Sequence, residues 1–240
     1  MKKNYNTIPR EDRLIVALDF PDIDSTKRMV ERLGDSVNFY KIGLELMMGG
    51  SYFGLIKWLK QQNKKIFCDL KLHDISATMV NSVKNLTQYD IDLLTIHASN
   101  RDTMEKVSLH KGKMMVIAVT VLTNLDQKDL LEIGFNPNFS VEELVIKRTK
   151  IALESGLDGV VSSALETKRL RTEFGQDFLI VTPGIRMSDD INASVNNEDQ
   201  KRVASADKAI KDGSSYLVVG RPITQSNDPK LAAQKFVSLI

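Results

Sequence analysis

Eight short runs of apolar, mostly β-branched residues recur along the 240-residue chain, and amphipathic segments separate them. This alternation predicts parallel strands joined by covering helices. Eight strand–helix units in a chain of this length match a single-domain α/β fold, the (β/α)₈ TIM barrel, over residues 1–240. A doubly wound sheet is the alternative, which the count disfavours. The runs are Leu14–Leu18, Phe39–Ile42, Ile66–Leu70, Leu93–Ile96, Met114–Leu122, Gly159–Val161, Phe178–Val181 and Tyr216–Val219.

Signals for helix ends lie between these runs. A helical segment over Ser25–Leu33 is followed by Gly34, a residue typical of helix C-termini. Ser140–Glu143 has a capping-box pattern, which opens a helix that we expect to stop near Gly156. Asp228–Pro229 predicts the start of the closing helix.

Charge and cysteine content exclude several classes of protein. The chain has 33 basic and 31 acidic residues, a net charge of +2, so nucleic acid is not the expected partner. The single cysteine, Cys68, excludes an internal disulfide and a cysteine-rich metal cluster, and its place in an apolar run predicts a small core residue. No apolar run approaches transmembrane length, and Met1–Asn6 is not followed by an apolar segment of the kind that a signal peptide needs. We therefore expect a cytoplasmic protein without a membrane partner.

Charged side chains stand where the strands end, which is where chemistry is found in such barrels. Asp69 and Lys71 lie at the end of the third run, and alternation along a strand puts them on one face. A lone D-x-K pair is often just a salt bridge, so its surroundings decide its interpretation. Polar residues near the ends of the other strands are Asp19, Lys41, His97, Thr120, Thr123, Arg186 and Arg221. Their convergence on one rim predicts an anionic ligand with a charged reaction centre.

The last two strands carry the features of a phosphate site. Gly220 and Arg221 directly follow the eighth run, where a glycine admits close backbone approach and an arginine fork suits phosphate oxygens. The alternative is a glycine turn with a solvated arginine. A long polar stretch from Pro183 to Gln200 predicts a lid over the phosphate, with Gln200 as a contact, or else a variable surface loop.

Eight motifs, in this order and at these spacings, resemble the bacterial type of the orotidine 5′-monophosphate decarboxylase family over essentially the whole chain. Each motif is weak alone, and the set is specific. They are Val16–Asp19, Tyr40–Gly43, Asp69–Ile75, Thr95–Ser99, Ala118–Thr123, Val181–Arg186, Asp199–Arg202 and Val219–Pro222.

The resemblance implies a decarboxylation of orotidine 5′-monophosphate to uridine 5′-monophosphate that uses no cofactor or metal. Lys41, Asp69, Lys71 and Asp74 would form an alternating charge network at C6 of the pyrimidine. Lys71 would protonate C6 as carbon dioxide leaves, and Asp69 would lie against the departing carboxylate.

The resemblance also implies a homodimer, because Asp74, Ile75 and Thr78 would complete the partner's site. Asp19 and Thr78 would hold the ribose hydroxyls, and Thr123 would contact the pyrimidine. The phosphate would be held by Gln200, Gly220 and Arg221, with help from Arg186.

The chain departs from the family pattern at two places beside this site. Ser76–Ala77 stand where the family usually has proline and asparagine, and Asn100–Arg101 stand where it often has paired glycines. His73 is interpreted as a supporting hydrogen-bond group or, equally, as a packing residue.

Two other functions remain open at this point. Sugar-phosphate decarboxylases or aldolases of the same barrel superfamily share D-x-K-x-x-D and use it with magnesium, but Lys41 and Leu122–Thr123 favour the first interpretation. A nucleotide-binding barrel without turnover is the alternative outside catalysis, and the intact charged residues disfavour it.

Overall fold

The computed structural model describes residues 8–187 and 202–240 of the chain. Eight of its strands are parallel and close into a barrel, which confirms the predicted fold. The barrel strands are β1 (Leu14–Ala17), β2 (Phe39–Gly43), β3 (Lys65–Leu72), β4 (Leu93–His97), β5 (Met115–Val119), β6 (Gly159–Val161), β7 (Leu179–Thr182) and β10 (Tyr216–Val219). Around the barrel they follow chain order, and β10 closes it between β7 and β1. A separate parallel pair is formed by β8 (Ile185–Arg186) and β9 (Ala204–Ser205).

Helices pack around the strands, and the predicted caps are present. Ser140 and Glu143 form a capping box, the Asp228 side chain accepts from the Leu231 N–H, and Gly34 ends the first helix. That helix begins at Ile23, two residues before the prediction. The helices are α1 (Ile23–Leu33), α2 (Leu44–Met48), α3 (Tyr52–Gln61), α4 (Ser76–Leu86), α5 (Arg101–His110), α6 (Gln127–Glu132), α7 (Val141–Glu154), α8 (Ala164–Phe174), α9 (Ala206–Lys211), α10 (Arg221–Thr224) and α11 (Pro229–Leu239). None of the helices in these two stretches is both long enough and apolar enough to cross a membrane.

The fifth strand is shorter than the sequence predicts. The apolar run suggested a strand to Leu122, but β5 ends at Val119. After that point the chain turns, with the Leu125 N–H donating to the Leu122 carbonyl, and Val121 and Leu122 line a cavity at the barrel mouth. These side chains are apolar because they line the cavity, and not because they belong to a strand.

Alternation of side chains along the strands produces two separate cores. One set fills the barrel interior, with Phe39 and Phe67 among its members. The other set, which includes Tyr40 and Cys68, packs between the barrel and the helices. Cys68 is fully buried there as a free thiol, which confirms it as a core residue. Because residues two apart share a face, the strands that bury Phe39 and Phe67 inside the barrel also direct Lys41 and Asp69 inward.

Two aspartates, one buried and one half-buried, tie neighbouring strands together at the opposite, N-terminal end of the barrel. Asp158, only 5% exposed, precedes β6, accepts the Val116 N–H at 2.8 Å and pairs with the Lys111 ammonium. Asp92 repeats the arrangement before β4, where it accepts the Ile66 N–H at 2.8 Å. These contacts lie away from the barrel mouth, so we assign them to stability.

Replacing Asp158 with alanine is expected to destabilise the fold strongly. The substitution removes the buried carboxylate that faces the Lys111 ammonium, and breaking a buried pair from one side costs about 3–5 kcal/mol. Urea denaturation would measure the free energy of unfolding. The control is Glu132→Ala, which removes an exposed pair at 3.8 Å from Lys128 and should change it by less than about 0.5 kcal/mol. A loss for Asp158→Ala no larger than that of the control would contradict the assignment.

Candidate active site

A cavity of about 460 Å³ opens at the C-terminal end of the barrel. Its floor consists of apolar side chains from the strands, such as Phe67, Val181 and Val218, and its walls combine polar and apolar side chains. Most of the predicted site residues of the described chain line it, namely Asp19, Lys41, Asp69, Lys71, Thr123, Arg186, Gly220 and Arg221. The strand ends therefore bring together cationic and acidic groups that are up to about 200 positions apart in the sequence.

Four of these side chains form a row of alternating charge, here called the charge row: Asp19, Lys41, Asp69 and Lys71. Lys41 Nζ donates to Asp19 Oδ1 at 2.8 Å and lies 3.6 Å from Asp69 Oδ2. Lys71 Nζ donates to the same Asp69 oxygen at 2.7 Å. The side chains of Lys41 and Asp69 are 11% and 12% exposed, whereas that of Asp19 is 55% exposed. The side chain of Lys71 is 32% exposed, so the two most buried members of the row, Lys41 and Asp69, lie at its centre.

Mutual attraction keeps the inner members of the row charged. Burial alone would raise the pKa of the Asp69 carboxyl, but the nearby Lys41 and Lys71 ammonium groups bring that pKa below its ordinary value. Burial alone would likewise lower the pKa of Lys41, and the carboxylates of Asp69 and Asp19 raise it instead. The Asp69 carboxylate and the Lys41 ammonium are therefore both ionised at neutral pH.

The segment after β3 points away from this cavity. Asp74, Ile75 and Thr78 are exposed, with Ile75 72% exposed, and none of them lines the cavity of its own chain. Asp74 Oδ1 accepts the Ile75 N–H at 2.7 Å, just before α4 begins. Strand alternation would have turned His73 inward, but β3 ends at Leu72 and the His73 side chain is exposed, with its ring 5.4 Å from that of His97.

The structure describes three of the four residues predicted to bind the phosphate. Gly220 caps α10, Arg221 begins that helix and is exposed, and Arg186 is 5% exposed in β8. The prediction of a loop from Pro183 onward is wrong at the start of that stretch, because Ile185–Arg186 form a strand that pairs with β9. Gln200 and the rest of the stretch over 188–201 lie outside the described residues.

The model of the orotidine 5′-phosphate decarboxylase / HUMPS family matches residues 12–236. The chain belongs to this family. The family resemblance inferred from the motifs is thereby confirmed.

Individual relatives agree with the family match. A Methylococcus capsulatus protein named orotidine 5′-phosphate decarboxylase is 48% identical over 228 residues, which are 95% of this chain and 91% of the relative. A Caulobacter protein of the same name is 46% identical over 228 residues, covering 95% of this chain and 96% of the relative. The crystal structure of orotidine 5′-phosphate decarboxylase from Lactobacillus acidophilus matches with a TM-score of 0.81 and 35% identity, covering 95% of this chain and 98% of that one.

Ser76 and Asn100, one residue from each departure from the family pattern, both form a hydrogen bond with Thr103. Ser76 begins α4, donates to Asp102 Oδ2 at 3.0 Å and lies 2.6 Å from Thr103 Oγ1. Asn100 caps α5 by accepting the Thr103 N–H at 2.9 Å. These hydrogen bonds tie the start of α4, next to Asp74, to the start of α5.

The sequence motifs did not predict which residues hold the loop that carries Thr123. Arg202 donates to the Leu122 carbonyl at 3.2 Å and pairs with the carboxylate of Glu166, which is only 5% exposed. Burial raises the pKa of Glu166, while Arg202 and a hydrogen bond from Ser162 oppose that rise. The pair connects the loop that carries Thr123 to α8. Arg202 stood in a family motif, but its partners are too distant in the sequence for spacing to predict them.

Thr95 is a second residue to which the motifs gave no role. It lies in β4 with 0% exposure, and its hydroxyl contacts both Asp69 and Lys71. The sequence signal that could have identified Thr95 is a polar residue between the apolar Leu94 and Ile96, on the same strand face as His97. Within the described ranges, no three or more His, Cys, Asp and Glu side chains are placed to hold a metal ion.

Proposed function

We propose that this chain decarboxylates orotidine 5′-monophosphate to uridine 5′-monophosphate and carbon dioxide, the last step of UMP synthesis, without a cofactor. The observation that carries the proposal is the charge row, placed in a cavity that also contains Arg186 and Arg221. Relatives 44–48% identical bear the name of this activity. The row supplies a charged reaction centre, and the two arginines supply cationic groups for a phosphate.

The chemical step requires stabilisation of a carbanion. When the bond between C6 and the carboxylate breaks, its electron pair stays on C6, where the pyrimidine ring delocalises it poorly. An ammonium group fixed near C6 in a shielded site stabilises that charge directly. Lys71 is the proposed group: it transfers its proton to C6 as carbon dioxide leaves, and water later restores the ammonium.

Asp69 and Lys41 prepare the site for this step. Lys41 and Lys71 keep the Asp69 carboxylate ionised, with its Oδ2 atom 2.7 Å from Lys71 Nζ. The substrate carboxylate lies against Asp69 in the proposed complex, so departure of neutral carbon dioxide relieves the repulsion between like charges. Lys41 links this centre to Asp19, which we assign to a ribose hydroxyl, and Thr123 contacts the pyrimidine.

The other end of the cavity binds the phosphate in this proposal. The Gly220 backbone and the Arg221 and Arg186 side chains surround it, and Gln200 contributes a further contact from outside the described residues. Binding energy gained at the phosphate, remote from C6, is available to desolvate and orient the reacting groups.

The active unit in this proposal is a homodimer. Asp74, Ile75 and Thr78 are exposed beside the barrel mouth but do not line their own cavity. An exposed isoleucine next to a carboxylate on a segment directed outward fits insertion into a second copy. Asp74 would then extend the partner's row past Lys71, and Thr78 would contact its ribose.

An ultraviolet assay of the purified protein with orotidine 5′-monophosphate tests the function. We expect conversion to uridine 5′-monophosphate that a metal chelator does not inhibit. Lack of conversion by a folded dimer would contradict the proposal. A sugar-phosphate activity lost on chelation would instead favour the magnesium-dependent alternative.

Replacing Arg221 with alanine is expected to weaken substrate binding more than it slows turnover. A charge-assisted hydrogen bond to phosphate contributes about 1.5–3 kcal/mol, so KM should rise by roughly 10- to 100-fold. Inhibition by uridine, which lacks the phosphate, should be unchanged. The matched control is Arg169→Ala, which removes an exposed arginine of α8 that lies 3.6 Å from Glu173. An unchanged KM for Arg221→Ala would remove Arg221 from phosphate binding.

A further inference from the structure

Thr95 contacts both members of the Asp69–Lys71 charged pair through one buried hydroxyl. Thr95 Oγ1 donates to Asp69 Oδ1 at 2.8 Å and accepts the backbone N–H of Lys71 at 3.0 Å. We propose that Thr95 is a positioning residue for the reaction, which holds the Asp69 carboxylate and the Lys71 backbone in the arrangement that proton transfer needs. This inference rests on the proposed decarboxylation.

The pairing of β3 with β4 explains why this position needs a hydroxyl. Cys68 pairs with Leu94 and Leu72 pairs with Ile96, so the three residues from Asp69 to Lys71 lie opposite Thr95 alone. Residues in such a bulge leave the regular ladder, and their backbone groups need other partners. Lys71 has a φ of 47°, in the left-handed region that residues other than glycine adopt infrequently. Its N–H reaches the Thr95 hydroxyl instead of a strand carbonyl.

The same hydroxyl fixes the plane of the carboxylate. The Thr95 hydroxyl donates to Asp69 Oδ1, while Asp69 Oδ2 faces Lys71 Nζ at 2.7 Å and Lys41 Nζ at 3.6 Å. A carboxylate held at both oxygens keeps one orientation, so both lysines meet the same oxygen. Fixed charges of this kind lower the reorganisation required during the reaction.

Packing in the barrel interior would not by itself require threonine here. Thr95 faces the barrel interior, as Leu93 does, and such layers are usually filled by branched apolar residues. Valine has nearly the same shape as threonine and would fill this position while excluding water. Thr95→Val therefore separates the hydroxyl from the packing.

Kinetics of Thr95→Val and Thr95→Ser test the inference. Loss of a hydrogen bond to a charged group predicts a kcat for Thr95→Val that is lower by roughly 10- to 100-fold. The dissociation constant of uridine 5′-monophosphate should stay within about three-fold, since the contact acts on the reacting groups. Thr95→Ser keeps the hydroxyl and should retain kcat within about three-fold. The matched control is Thr182→Val, which removes another fully buried barrel hydroxyl, bonded to Ser214 at 2.7 Å, and should leave kcat unchanged.

Either of two kinetic results would overturn the inference: an unchanged kcat for Thr95→Val, or a loss for Thr95→Ser as large as that for Thr95→Val. If Thr95→Val does not fold, Thr95→Cys, with its weakly hydrogen-bonding thiol, takes its place with the same expectation. Crystal structures supply a readout independent of activity. Rotation of the Asp69 carboxylate away from Lys71 in the valine variant supports positioning, and an unmoved carboxylate refutes it. If the wild-type protein itself fails to turn over orotidine 5′-monophosphate, the proposed function fails, and the crystal structures still decide the role of Thr95.

Discussion

Replacing Lys71 with alanine is expected to abolish turnover while leaving uridine 5′-monophosphate binding measurable. The substitution removes the proposed proton donor and one of the two ammonium groups that face Asp69. Loss of a general acid or of a fixed charge each slows reactions by about 10²–10⁴-fold, so a combined loss above roughly 10³-fold in kcat is expected. Stopped assays at high enzyme concentration would measure the residual rate, and calorimetry would measure product affinity.

Lys65→Ala is the matched control for this prediction. Lys65 lies at the other end of the same strand and makes an ion pair of the same length, 2.7 Å, with Asp12. Its removal should leave kcat unchanged, which shows that loss of a paired lysine from β3 does not by itself impair the enzyme. Normal turnover by Lys71→Ala would exclude Lys71 as the proton donor.

Much of the fold was predictable because the signal is local and repeated. Each strand of a parallel barrel is buried on both faces, so it reads as a short apolar run, and the intervening helices carry their own caps. The same local rule predicted that Asp69 and Lys71 share one face, and both line the cavity. The apolar run predicted the wrong end for β5, because the side chains that line the cavity after Val119 are as apolar as those of a strand.

The details that organise the site are not local. The bulge in β3 depends on pairing with β4, and nothing in the residues Asp69–Lys71 marks a left-handed backbone at a lysine. Thr95 and Arg202 become informative only when their partners on other strands and loops are in place. Long-range contacts of this kind set the orientation of catalytic groups, whereas the composition of strand ends predicts only which groups are present.

Mixing two inactive variants is expected to restore activity. We expect Lys71→Ala and Asp74→Ala homodimers both to be nearly inactive, since each site lacks one member of the proposed network. In a hybrid dimer, one site combines Lys71 of the Asp74→Ala chain with Asp74 of the Lys71→Ala chain and is complete. The other site lacks both groups. Hybrids isolated with two different affinity tags should therefore show about half of the wild-type kcat per dimer.

The pairing of Lys71→Ala with Asp69→Ala is the control, because it distinguishes a shared site from general rescue by mixing. Asp69 and Lys71 lie 2.7 Å apart in one chain, so every site of that hybrid lacks one of them and no recovery is expected. If Asp74 acted within its own chain, the hybrid of Lys71→Ala with Asp74→Ala would be as inactive as its parents. Recovery confined to that hybrid would place Asp74 in the partner's site, which the outward direction of the segment after β3 already favours.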